Sequence, residues 1–269
     1  MIKSNFGITK VPFFQAETKL LNQQLEIFNT INIHSQQGGL CVITGDPGVG
    51  KSVIKEHLEA LNKTGTTTVA SFSRTMHSFP QILRQLALAM KIDTKDKSLE
   101  DELIKSAFKE VEARKTLVTI IDEAHLLDMN TLRKLRLMFD RFPKKHNIVL
   151  FGQPELMIRL SMREYLDLKS RITFSRQMLP LDDQRLSEFM LSELDSVGLG
   201  ANTFDESAAQ LILRSVQGNL RLCCNLCYSS LIEACQESER IINTRHVNAV
   251  LVQPHWRSHD ENILRPLKR

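Results

Sequence analysis

The sequence predicts an α/β fold, a parallel sheet sandwiched between helical layers, followed by a small all-helical unit. Helix-like and strand-like segments alternate up to about residue 178, as they do where each strand is joined to the next by a crossover helix. Residues 117–121 (LVTII) and 147–151 (NIVLF) are short, largely apolar runs, the composition of strands covered on both faces. From Asp182 onward the strand pattern disappears, and 182–197, 205–216, 219–236 and 244–252 all read as helices. The predicted organisation is an α/β domain over 1–178, a helical subdomain over 179–255 and a flexible basic tail over 256–269, where four Arg and Lys face two acids.

Taken in order, residues 16–36 place Leu20, Leu21, Leu25, Ile27, Phe28 and Ile31 close to helical spacing. Gly38 and Gly39 interrupt that pattern, and 40–44 (LCVIT) reads as a short buried strand. A glycine-rich loop follows at 45–50, then a helix over 51–61. Residues 66–73 (TTTVASFS) are rich in β-branched side chains, which pack well on a pleated surface, and predict a second strand. A helix is expected over 78–91, with Ser78 or Pro80 near its start, and another over 98–114 after a polar linker. The strand at 117–121 leads to a basic helix over 129–142 and then to the strand at 147–151.

Thirty-five Lys and Arg against 31 Asp and Glu give a formal charge of +4, with 42% hydrophobic and 25% charged residues. This balance suits a globular chain and permits contact with a polyanion without requiring it. The five cysteines at 41, 223, 224, 227 and 235 form no paired metal-binding pattern. They read as small apolar residues suited to a reducing cytosol. The opening MIKSNFGITKVPFF is broken by Lys10 and Pro12 and does not read as a signal peptide. No run is long enough to cross a membrane, so a cytoplasmic protein without a membrane partner is expected.

The chemistry concentrates where strands end. Residues 45–52 (GDPGVGKS) fit the pattern G-x-x-x-x-G-K-[ST], after an apolar strand and at the opening of a helix. Glycines are needed because backbone N–H groups must turn inward onto phosphate oxygens, and the helix start adds its positive dipole end. The loop is expected to hold ATP through Gly45, Asp46, Pro47, Gly48, Val49, Gly50, Lys51, Ser52 and Val53. Lys51 would take the β- and γ-phosphates and the Ser52 hydroxyl would coordinate Mg²⁺. About 70 residues later, 117–125 (LVTIIDEAH) ends a hydrophobic strand in two acids, at the sheet edge where ligands bind in such folds. Asp122 is expected to hold Mg²⁺ largely through water, and Glu123 to polarise the attacking water. His125 completes a DEAH string, for which a local hydrogen-bonding or interface role is expected.

Gln153, just past the strand at 147–151, reads either as a sensor between the acids and the γ-phosphate or as a turn residue. Arg171 and Arg176 lie at the end of the α/β part. Either is placed to reach the nucleotide of a neighbouring subunit and stabilise transition-state charge, or to form surface salt bridges. Arg221 follows a turn and helix cap at Gly218 and Asn219 and is expected to approach the phosphates from the helical side.

With these residues in hand the chain resembles the AAA+ ATPases, and within them the ExeA-like group. FGITKVPF at 6–13, GDPGVGKS, IIDEAH, LFGQPEL at 150–156, RITFSRQMLPLD at 171–182 and GNLRLCCNLC at 218–227 carry the resemblance. It implies a P-loop AAA+ αβα sandwich followed by a helical lid, with Arg171 as the arginine finger and Arg221 as the lid arginine. The group includes secretion ATPases with a membrane anchor and a wall-binding domain, and transposon ATPases of the TniB, TnsC and MuB type. Neither an anchor nor a wall-binding domain is read in this chain, so the transposon type is the expectation. That type implies a homo-oligomeric ring or filament on double-stranded DNA that recruits or activates a transposase. It also places Arg74, Thr75 and His77, after the second strand, against the DNA backbone. Residues 131–145 hold six basic groups, among them Arg133 and Lys134, against the single acid Asp140. These could track phosphates with little sequence preference, or form a solvated face or subunit interface. With one Trp and two Tyr the chain is poorly equipped for base stacking. A secretion or envelope ATPase and a nucleotide-dependent scaffold that binds no DNA are the alternative expectations.

Overall fold

The computed structural model describes residues 2–14, 19–72, 78–92 and 99–256. The chain divides into two compact units, one of Lys19–Leu179 and one combining Met1–Thr18 with Pro180–Arg269. After α1 (Ile2–Phe6), which belongs to the second unit, the first unit runs α2 (Asn22–Gln37), β1 (Gly39–Gly45), α3 (Lys51–Ala60), β2 (Thr67–Phe72), α4 (Phe79–Ala89) and α5 (Leu99–Glu112). It continues through β3 (Thr116–Ile121), α6 (Met129–Phe139), β4 (His146–Gly152), α7 (Glu155–Leu160), α8 (Leu166–Lys169) and β5 (Ile172–Met178).

The five strands form one sheet in the order β2-β3-β4-β1-β5, and every neighbouring pair is parallel. Alternation along each strand sends successive side chains to opposite layers. Val42, Ala70 and Leu150 face the layer of α4, α5 and α6, while Cys41, Ile43, Val69, Val149 and Phe151 face that of α2 and α3. Burial on both faces explains why these strands read as apolar runs. Asn147 is the polar exception in NIVLF. It is fully buried, and its amide donates to Ser35 Oγ (3.1 Å) on α2, so the group is satisfied and ties the helix to the sheet. His146 is also buried, 2.8 Å from Thr119 Oγ1, and burial pushes its pKa down to about 3, leaving a neutral ring.

β5 has no counterpart among the predicted strands. It is an edge strand whose Ser175, Arg176 and Gln177 are exposed, so it lacks the apolar signature of the other four.

The second unit contains α9 (Asp183–Asp195), α10 (Glu206–Val216), α11 (Leu220–Gln236) and α12 (Thr244–Leu251). Each starts at an Asp or Asn whose side chain accepts a first-turn backbone N–H: Asp182, Asp205, Asn219 and Asn243. The N-terminal segment packs here and not, as the predicted 1–178 division has it, with the α/β domain. Asn5 Nδ2 donates to Glu239 O (2.8 Å), the Phe13 N–H donates to Glu193 Oε2 (2.9 Å), and Phe14 meets Tyr228 edge-on. All five cysteines are free thiols. Burial pushes Cys224 up to about 12 and Cys227 well above its ordinary value, so these two thiols stay protonated. Among the described residues no helix is long and apolar enough to cross a membrane. The expected tail beyond Trp256 lies outside the described residues.

Candidate nucleotide-binding site

β4 lies between β1 and β3 in the sheet. The strand feeding the glycine-rich loop and the strand ending in two acids are therefore separated by one strand width. The carboxyl end of β4, with Gly152 and Gln153, falls in the gap, since Thr44 pairs with Gly152 and Ile121 with Leu150.

The loop backbone is built for close approach. Gly48 (φ +91°) and Gly50 (φ +96°) adopt left-handed conformations that L side chains rarely tolerate, and Gly50 caps α3. Between them the buried Val49 anchors the loop in the core. Such left-handed positions, together with the start of a helix, turn N–H groups toward an anion. The buried Lys51 ammonium lies inside the loop, donating to Gly45 O (2.5 Å) and Asp46 O (2.9 Å). Gln24 of α2 braces the loop from outside, with Nε2 donating to Gly50 O (3.4 Å).

Ser52 and Lys55 are three residues apart on α3 and share a face. Lys55 Nζ lies 3.0 Å from Asp122 Oδ2, so this face is turned toward the acid, with the exposed Ser52 one turn nearer the loop. Asp122 Oδ1 accepts the Glu123 N–H (2.9 Å), which engages both of its oxygens. The Lys55 contact was not foreseen. Its signal was present as the second lysine of KSVIK, one helical turn after Lys51.

Glu123 has φ +52°, in the left-handed region, and its carboxylate is 3.4 Å from His125 Nδ1. The same ring nitrogen lies 3.4 Å from the Gln153 N–H, which connects the end of β4 to the acidic turn. Arg159 of α7 clamps this turn by donating to His125 O (2.5 Å) and Leu127 O (3.0 Å). His125 thus has the local hydrogen-bonding role. A loop of inward-turning amides, a buried ammonium, a hydroxyl and a fixed carboxylate together fit a polyphosphate with a divalent cation.

Within the same unit, Arg171 lies away from the loop. Arg171 precedes β5 at the amino-terminal edge of the sheet, where Leu40 pairs with Ile172, whereas the loop follows Gly45, which pairs with Met178. At about 3.3 Å per residue that separation is roughly 20 Å, beyond the reach of an arginine side chain. Arg171 is 56% exposed, and its nearest acid, Asp140 Oδ2, is 3.9 Å away. Arg176 is exposed within β5. Arg221 is exposed in the first turn of α11, behind Gly218 and Asn219.

The basic stretch 131–145 is partly neutralised by acids distant in sequence. Arg133 contacts Asp167 (3.3 Å) and Glu164 O and stacks over Tyr165, and Arg141 pairs with Glu100 (3.2 Å) and Asp101 (2.8 Å). Lys134 is exposed on α6. Arg74, Thr75 and His77 lie outside the described residues.

Residues 33–160, which include the loop and both acids, match the family described as an AAA domain. General secretion pathway protein A of Aeromonas hydrophila is 28% identical over 240 residues, covering 85% of this chain but 44% of that protein. The chain thus spans less than half the length of this curated relative. A Cdc6p structure from Pyrobaculum aerophilum superposes with a TM-score of 0.72 at 18% identity, covering 97% of this chain and 75% of that one. Drosophila ORC bound to DNA gives 0.64 at 20% identity, covering 100% and 68%. The fold is that of these Cdc6p and ORC structures, and its strand-and-loop part is the segment that matches the AAA domain. The glycine loop and the acids on β3 lie at the carboxyl edge of the sheet, and Arg171 stands at the opposite edge.

Proposed function

We propose that this chain is an AAA+ ATPase that binds ATP with Mg²⁺, assembles with copies of itself on double-stranded DNA, and regulates transposition by recruiting or activating a transposase. The observation that carries the reading is the placement of Arg171. It is exposed, weakly paired, and a full strand length from the loop of its own chain, so the only γ-phosphate it can serve belongs to a neighbour. ATP then becomes a ligand of the subunit junction and stabilises the assembly in proportion to its occupancy. Within one subunit, Lys51 and the loop amides hold the triphosphate, with Val53 in the first turn behind them. Ser52 and Asp122 hold Mg²⁺, which screens the phosphate charge. Glu123 polarises water, and Gln153 reports the γ-phosphate.

Several observations support the DNA part. The solved ORC with this fold is bound to DNA, the chain is net basic, and exposed Lys134, Lys144 and Lys145 offer charges for backbone contact. Duplex retention at graded salt tests it. Binding should require ATP, weaken as salt rises, and disappear in Lys51→Ala; no binding at low salt with ATP refutes the DNA reading. A transposase gene adjacent to this one is expected.

A second reading, an envelope secretion ATPase, is favoured by the likeness to general secretion pathway protein A. It predicts no duplex retention and a membrane partner.

A further inference from the structure

Toward the amino-terminal ends of β1, β4 and β5 the α/β unit contains a pocket of about 440 Å³. This lies within the size range of small-molecule sites, whereas well-packed interiors rarely keep space of this kind. Its walls are apolar: Leu132, Leu135 and Phe139 of α6, Ile148 and Leu150 of β4, and Leu168 of α8. Its charged lining is one-sided. Arg136, Lys144 and Arg171 face a single carboxylate, Asp140. That carboxylate sits 3.1 Å from Arg136 Nη2 and 3.9 Å from Arg171 Nη2, so it is shared between two guanidinium groups. The buried Arg136 Nε finds no acceptor among the described residues. The site therefore combines a water-averse body with unspent positive charge at its rim.

We propose that this pocket binds a small amphipathic anion, an acyl or aromatic body carrying one carboxylate or phosphate seated against Arg136 and Lys144. The apolar walls bury the body, and the guanidinium and ammonium groups replace the hydration of the head. Because Arg171 lines the same mouth, an occupant draws it away from a neighbouring subunit and weakens ATP-dependent assembly. This regulatory consequence rests on the trans role proposed for Arg171; the binding itself does not.

Calorimetry on the full chain with octanoate, octyl phosphate and octanol tests the site and separates the two anionic heads. Either or both anions should bind at least about tenfold more tightly than the alcohol, a gap of about 1.4 kcal/mol. Thr173→Trp, on the exposed edge at the mouth, should block binding while ATP binding persists, and Arg136→Gln should erase the preference for the anion. Equal affinity for alcohol and anions, or unchanged binding by Thr173→Trp, overturns the proposal. So does the absence of heat together with loss of self-assembly in Thr173→Trp, which would make the occupant a second copy of the chain. Lys51→Ala should still bind the anion while failing to assemble with ATP, so failure of the nucleotide reading is distinguishable from failure of the pocket.

Discussion

Glu123 occupies a backbone conformation that costs a non-glycine residue about 1–3 kcal/mol. The surroundings that hold it there, the Asp122 carboxylate on its N–H and His125 beside its side chain, also aim it. Glu123→Gln keeps the shape and removes the proposed base. ATP binding and assembly should persist while steady-state turnover falls by about 100-fold or more; normal turnover refutes the assignment. A second residue-scale prediction concerns His146, whose folded-state pKa near 3 lies below its ordinary 6.5. The unfolded chain takes up this proton first, so stability from the neutral ring is fully present above about pH 6.5 and is lost as pH falls toward 3. Its share of the slope reaches at most about 1.4 kcal/mol per pH unit. Denaturant midpoints at pH 7 and 5 should differ more for the native chain than for His146→Gln; equal differences would rule out this group.

At the scale of elements, the join between α10 and α11 depends on one glycine. Gly218 has φ +78°, and a Cβ there would lie 2.1 Å from Leu181 O, while Leu181 N–H donates to Gly218 O (3.0 Å). Gly218→Ala should cost roughly 2–4 kcal/mol through strain and backbone displacement. Gly65→Ala, at φ +73° with nothing within 4 Å, should cost only about 1 kcal/mol. Comparable denaturation midpoints for the two variants would refute this. The strand β5 shows the limit of patterns at this scale: an edge strand exposed to solvent carries no apolar run, so its residues were legible only as polar sequence around two arginines. The charge of 131–145 shows the same limit, because Glu100, Asp101 and Asp167 pair with its arginines from 34 or more residues away.

For the whole molecule, one observation orders the rest: loop and arginine at opposite edges of one sheet. A surface that presents Arg171 to the loop of the next copy is heterologous, and repeats into a ring or a filament. Arg171→Ala should lose turnover while the monomer still binds ATP, and Lys51→Ala should lose both. Mixing the two should restore part of the activity, because a junction can pair the intact loop of one variant with the intact arginine of the other. No recovery on mixing would refute action across the junction.

The fold class, the glycine-rich loop and the paired acids were readable from the sequence alone. Each is a local pattern with a chemical reason: apolar runs for doubly covered strands, glycines for backbone that must face an anion, acids at a strand end. The lysine beside Asp122, the brace from Gln24, the docking of the N-terminal segment on the helical unit and the rim of the pocket were decided only by tertiary structure. Each joins residues distant in sequence, and such contacts leave no periodicity to read. The sequence supplied Arg171 as a residue; the parallel pairing of β5 with β1 gave it a direction, away from its own loop.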